Sequence, residues 1–188
     1  MRNKTVYNLT VSAMMLALGL FLPFLTGQIP QIGKMLLPMH IPVILCGFIC
    51  GWKYGLGVGF LLPLMRSLIF GMPVLYPKAI AMAFELATYG FVAGFLYFRF
   101  KKKTIFSIYV SLISAMLLGR IALALSNIVL YGLGEGKYTF SLFISGAILD
   151  AVPGIILQLL LIPAVVAAIN KASSKTNEGA GAFGRNRK

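Results

Sequence analysis

Long apolar runs alternate along the chain with short intervals rich in polar residues, glycine and proline. A helix that crosses a bilayer needs about 20 apolar residues, with a range of about 17–25. Six stretches approach or meet that length. They predict helix 1 over Thr5–Leu25, helix 2 over Pro38–Trp52, helix 3 over Tyr54–Phe70, helix 4 over Lys78–Phe98, helix 5 over Thr104–Leu130 and helix 6 over Thr139–Ile169. Helices 2 and 3 are short and separated by the tight GWKYG interval. Gly47, Gly51, Gly55 and Gly59 recur every fourth residue across it, a spacing that lets helix backbones approach closely. Pro23, Pro63 and Pro163 fall inside helices 1, 3 and 6, where proline is expected to bend the axis. The predicted fold class is an all-α integral membrane protein of six transmembrane helices. Residues 1–170 form the membrane domain, and residues 171–188 form a basic cytoplasmic tail whose Gly, Ser, Asn and charge predict disorder.

Composition sharpens this picture. Of 188 residues, 59% are hydrophobic and 11% charged, against about 45–50% and about 25% in soluble domains. A soluble core of this size cannot hide that excess. The net charge is +13, yet the cations cluster beside apolar runs, as topology signals and lipid contacts do. They form no face interleaved with exposed aromatics, so nucleic acid is not an expected partner. The first run follows Arg2 and Lys4. It is too long for a signal-peptide core and lacks a small-residue cleavage site, so it is expected to be a helix of the mature protein. With the N-terminus in the cytoplasm, twelve Lys and Arg fall inside, among them Lys53, Arg99, Lys101, Lys102 and Lys103, against Lys34, Lys78 and Lys137 outside. That asymmetry predicts both termini in the cytoplasm.

Ionisable groups within a span cost about 2.5–3.5 kcal/mol each on insertion scales and default to a functional role. Arg66 lies on helix 3, Glu85 on helix 4, Arg120 on helix 5 and Asp150 on helix 6, while His40 opens helix 2. Asn127 and Gln158 add neutral polarity. In the predicted orientation all but Gln158, near the centre of helix 6, fall in the outer half. The expected site is therefore an outward-opening ligand pocket lined by Glu85, Asp150, Arg120, Asn127, Arg66 and His40. The alternative is a pair of structural ion pairs. Tyr76, Tyr131 and Tyr138, in loops rich in Gly, Pro and Tyr, either cap that pocket or mark the membrane interface.

Other chemistry is excluded or unsupported. Without a Walker A pattern or a GxGxxG after a strand, the chain does not hydrolyse ATP itself. It carries no readable Ser–His–Asp arrangement, and no enzymatic activity is expected. Cys46 and Cys50 share a helix face and cannot form a strain-free disulfide within it, so they read as packing residues. One histidine leaves no metal site, and no cofactor is expected.

Three local features then carry a family resemblance. Ala13-Met-Met-Leu-Ala17 is an AxxxA pattern on helix 1. The stretch LLPMHIPVILCGFICGWKYGLGVGFLLPLMRSLIFGMP, residues 36–73, sets a loop, a short Gly-rich hairpin, a polar residue and a Gly-Met-Pro in order. EL-x-x-YG-x-x-AG-x-LY runs from Glu85 to Tyr97. Together with size and span number, these resemble the substrate-binding S component of energy-coupling factor (ECF) vitamin transporters, over about residues 5–170. The resemblance implies high-affinity capture of a vitamin or related micronutrient from outside. It implies a T component and two cytosolic ATPases as partners, with the S component toppling in a bacterial cell membrane to release its substrate. It also implies that Ala13 and Ala17 meet the T component, and that the pocket draws on helices 4 to 6 and the outer loops. Both signs of charge suit a polar ligand with a carboxylate or several hydrogen-bonding groups. Pantothenate is the first choice, and a pyrimidine or pyridine precursor or a deazapurine base also fits. The competing reading is a self-sufficient secondary transporter of a small polar solute. It would need two readable repeats with interrupted helices, and none is clear.

Overall fold

Helix is the only regular structure that satisfies every backbone group within one apolar segment, and the apolar runs adopt it. The computed structural model describes residues 3–25, 37–132 and 152–185. Within them lie six α-helices: α1 (Lys4–Leu25), α2 (His40–Cys50), α3 (Trp52–Phe70), α4 (Ile80–Arg99), α5 (Ile105–Gly132) and α6 (Val152–Arg185). A π-helical turn, Leu75–Ala79, leads directly into α4. No strand occurs among the described residues. Five of these segments (α1, α3, α5, α6, and α4 with its leading turn) are long and apolar enough to cross a membrane, and α2 is a shorter apolar helix. The Thr139–Ala151 part of predicted helix 6 lies outside the described residues. Beyond Lys171, in the segment assigned to the tail on composition, the helical backbone continues to Arg185.

Large apolar side chains cover the outside: Phe21 and Leu68 are each 73% exposed and Phe106 71%. Contiguous exposure of this kind in water would drive association; against acyl chains it carries no penalty. This is the surface of a multi-pass membrane protein.

The helix α4 is central and packs on α2, α3 and α5, while α1 lies on α2 and α3, and α6 on α2 and α5. One core cluster joins Phe48, Tyr89, Tyr97, Leu112, Ile162 and Val166. A second joins Val43, Cys46, Val58, Leu62 and Leu86. Glycines bring the central helices into backbone contact. A Cβ on Gly47 or on Gly55 would stand 2.5 Å from the Gly90 carbonyl oxygen, one on Gly59 would overlap the Leu86 carbonyl, and one on Gly94 would stand 2.6 Å from the Trp52 nitrogen. These registers set α3 antiparallel to α4.

Gly51 breaks the expected four-residue repeat. Its φ of +95° belongs to the region open to glycine, and it is the single residue joining α2 to α3. Its N–H donates to the Gly47 carbonyl. Gly51 therefore makes the turn, while Gly47, Gly55 and Gly59 make the packing.

Candidate functional site: a buried charge cluster

The antiparallel packing brings the start of α2, the second turn of α4 and the middle of α5 to one place. His40 is the first residue of α2. Its N–H donates to the Leu37 carbonyl at 3.0 Å, and its ring meets Tyr89 edge-on, centroids 5.0 Å apart. Tyr89 reaches across to α5 because residue 119 is glycine: a Cβ there would stand 2.5 Å from the tyrosine ring. The next residue, Arg120, donates from Nη1 to Glu85 Oε1 at 3.1 Å. His40 Nε2 lies 3.5 Å from the same oxygen, at ion-pair range. The side chains of His40 and Glu85 are only 2% and 3% exposed, and that of Arg120 16%.

Stability alone does not account for this cluster. At 3.1 Å the Glu85–Arg120 attraction is about 5 kcal/mol at an effective dielectric near 20. Desolvating each ion costs several kcal/mol, so the pair roughly breaks even. Within it, buried polar atoms lack a hydrogen-bond partner among the described residues: both His40 nitrogens and Nε and Nη2 of Arg120; on α6 both amide atoms of Gln158 are also unbonded. Each such orphan costs about 1–3 kcal/mol. Unsatisfied buried groups of this kind are what a polar ligand would complete.

The structure thus brings together His40, Glu85 and Arg120. Asn127 lies about two turns beyond Arg120 on α5 and is half-buried. Asp150 falls outside the described residues. Arg66 is buried but turned toward α1: its Nη1 donates to the Leu20 carbonyl at 3.0 Å, and its guanidinium lies 5.4 Å from the Phe24 ring centroid and 5.6 Å from that of Phe70. Tyr76 donates its hydroxyl to the Leu130 carbonyl at 2.8 Å, tying the α3–α4 link to the end of α5. Tyr138 and the Tyr131 side chain lie outside the described residues.

Gln158 is the residue whose full burial the sequence did not reveal. Asn170 of α6 donates to the Tyr97 hydroxyl at 2.8 Å. From that bond α6 runs back along the core through Val166, Ile162 and Ile155. Gln158 stands twelve residues before Asn170, and Glu85 twelve before Tyr97. At about 1.5 Å per residue, each stands about 18 Å along its own helix from that bond.

On α1, Ala13 and Ala17 are exposed beside Met14, Leu18 and Phe21. The opposite face carries Ser12, whose hydroxyl accepts from Cys46 Sγ at 3.5 Å. Cys46 and Cys50 are buried free thiols. Among the described residues no group of His, Cys, Asp and Glu is arranged to hold a metal ion.

A family model described as "ECF transporter, substrate-specific component" matches residues 7–166, a stretch that contains the whole cluster and Gln158. No curated protein and no solved structure matches the chain significantly.

Proposed function

Because the chain belongs to the substrate-specific components of ECF transporters, we propose that it captures a vitamin or related micronutrient, pantothenate first, for ATP-driven uptake by partner subunits. The family is one of transporter components rather than enzymes. In this reading the chain crosses a bacterial plasma membrane six times, α2 counted among the spans, with both termini in the cytoplasm. It docks on a T component that two cytosolic ATPases drive.

The observation that carries the site is the meeting of three helices at Glu85, with buried donors left over on Arg120 and His40. His40, Arg120 and Asn127 form the binding wall, Glu85 holds Arg120 in place there, and Asp150 is assigned to the site from its sequence position within predicted helix 6. Arg66, whose guanidinium is engaged on α1, fastens that helix to α3 beside the wall. The cluster lies in the outer half of the membrane, which suits capture from outside.

The exposed, small-residue stripe of Ala13 and Ala17 supports the coupling role of α1. Ala13→Trp should leave ligand binding unchanged and reduce co-purification with the T component and ATPases by at least about tenfold, because a bulky ring prevents the close helix approach that small residues allow. Intact assembly would remove α1 from that role. Uptake that persists in cells lacking the T component and ATPases would instead favour a self-sufficient carrier.

A further inference from the structure

Taking the binding-subunit reading as the premise, we infer that the ligand sets a carboxylate against the Nε/Nη2 edge of Arg120 and a second hydrogen-bonding group against the Gln158 amide, while Glu85 positions Arg120. A guanidinium offers five N–H donors in a fixed fork. Arg120 spends Nη1 on Glu85 Oε1. Nε and Nη2 form the opposite edge, two parallel donors that match the two oxygens of a carboxylate. Both atoms are buried and lack a hydrogen-bond partner among the described residues. A phosphate would fit the same fork, but it brings about 1.5 to 2 negative charges to a pair whose own charges cancel. A monoanionic carboxylate is the better match.

Gln158 extends the site to α6. Its side chain is fully buried, and neither its carbonyl oxygen nor its amide nitrogen is bonded. An amide placed there for architecture would be paired, since buried polar groups are otherwise destabilising. Its amide NH2 donors and carbonyl acceptor complement a ligand amide or hydroxyl. Glu85, by contrast, directs Oε1 at Arg120 and His40, so it acts through the arginine and is a positioning residue.

The test uses the full chain purified in detergent from cells grown in rich medium. The protein is denatured and the released small molecules are identified by mass. Wild type should release a stoichiometric amount of a carboxylic acid. Arg120→Lys keeps a cation facing Glu85 but loses the fork, and should release at least about tenfold less. Gln158→Leu should release at least about tenfold less and, compared with wild type after both are stripped of ligand, should melt at the same temperature or above, because an unpaired buried amide has been replaced by an apolar group of similar size. A structural glutamine would instead melt lower and keep its ligand. A released molecule without a carboxylate would overturn the inference and leave the binding-subunit reading standing. Full retention by Gln158→Leu would remove that residue from the site. No released molecule from wild type would overturn both.

Discussion

Gly90→Ala should cost at least about 3 kcal/mol of stability, although alanine favours helix by about 1 kcal/mol over glycine. The added methyl meets rigid backbone: a Cβ at Gly90 would overlap the carbonyl group of Gly55. Neither helix can give way, because Gly47 and Gly55 press on the Gly90 carbonyl and Gly59 on that of Leu86. Overpacking that only displaces side chains costs about 1–3 kcal/mol, and here the two central helices themselves must separate. Gly57 provides the control. It sits on the same helix as Gly55 and Gly59, yet a Cβ there meets nothing within 4 Å, so Gly57→Ala should be neutral or stabilising. Unfolding by titration with a denaturing detergent separates the two outcomes. Equal effects at both positions would mean that α3 and α4 do not pack through these glycines.

Glu85→Ala should abolish ligand binding and also destabilise the protein by about 3–5 kcal/mol, the range for leaving one member of a buried ion pair unpaired. Arg120 would then lose its carboxylate partner, with its guanidinium still largely out of solvent. Loss of folding alone would not establish a binding role, so the second arm is the double variant Glu85→Leu with Arg120→Met. Replacing both members of a buried pair by apolar residues is often neutral or stabilising. The double variant should therefore recover to within about 1 kcal/mol of wild type, a strongly non-additive result, and still bind no ligand. Recovered stability with recovered binding would show that the pair is architectural. A double variant as unstable as Glu85→Ala would show that the cluster supports the fold in a way two charges do not describe.

The helices were legible because an apolar run of spanning length has few other structures open to it. The start of α1 and the ends of α3 and α5 fall within two residues of the prediction. Helix azimuth was less legible. In water, the buried face of a helix is marked by apolar periodicity; in lipid both faces are apolar, and the pattern fades. Arg66 shows the consequence. Its depth could be read from its place along helix 3, but nothing in the run from Tyr54 to Phe70 said that it would turn toward Leu20. Glu85 and Arg120 were recognisable because lipid tolerates neither alone. His40 was recognisable as polar, but not as the neighbour of Glu85, since that contact depends on Gly47 and Gly90 drawing α2 against α4. Gln158 was placed near the centre of a helix counted from Thr139, and only the Asn170–Tyr97 bond registers α6 against α4.

The contact between Arg66 and α1 has one further implication. Its guanidinium stays charged at any physiological pH, and its partners are a main-chain oxygen and two ring faces. None of those gains or loses a proton in that range. Acidifying the surroundings can neutralise a carboxylate and so release a cation bound to it, but it has no such handle on this attachment. The first helix is fastened to its neighbour there by a clasp that acid cannot open.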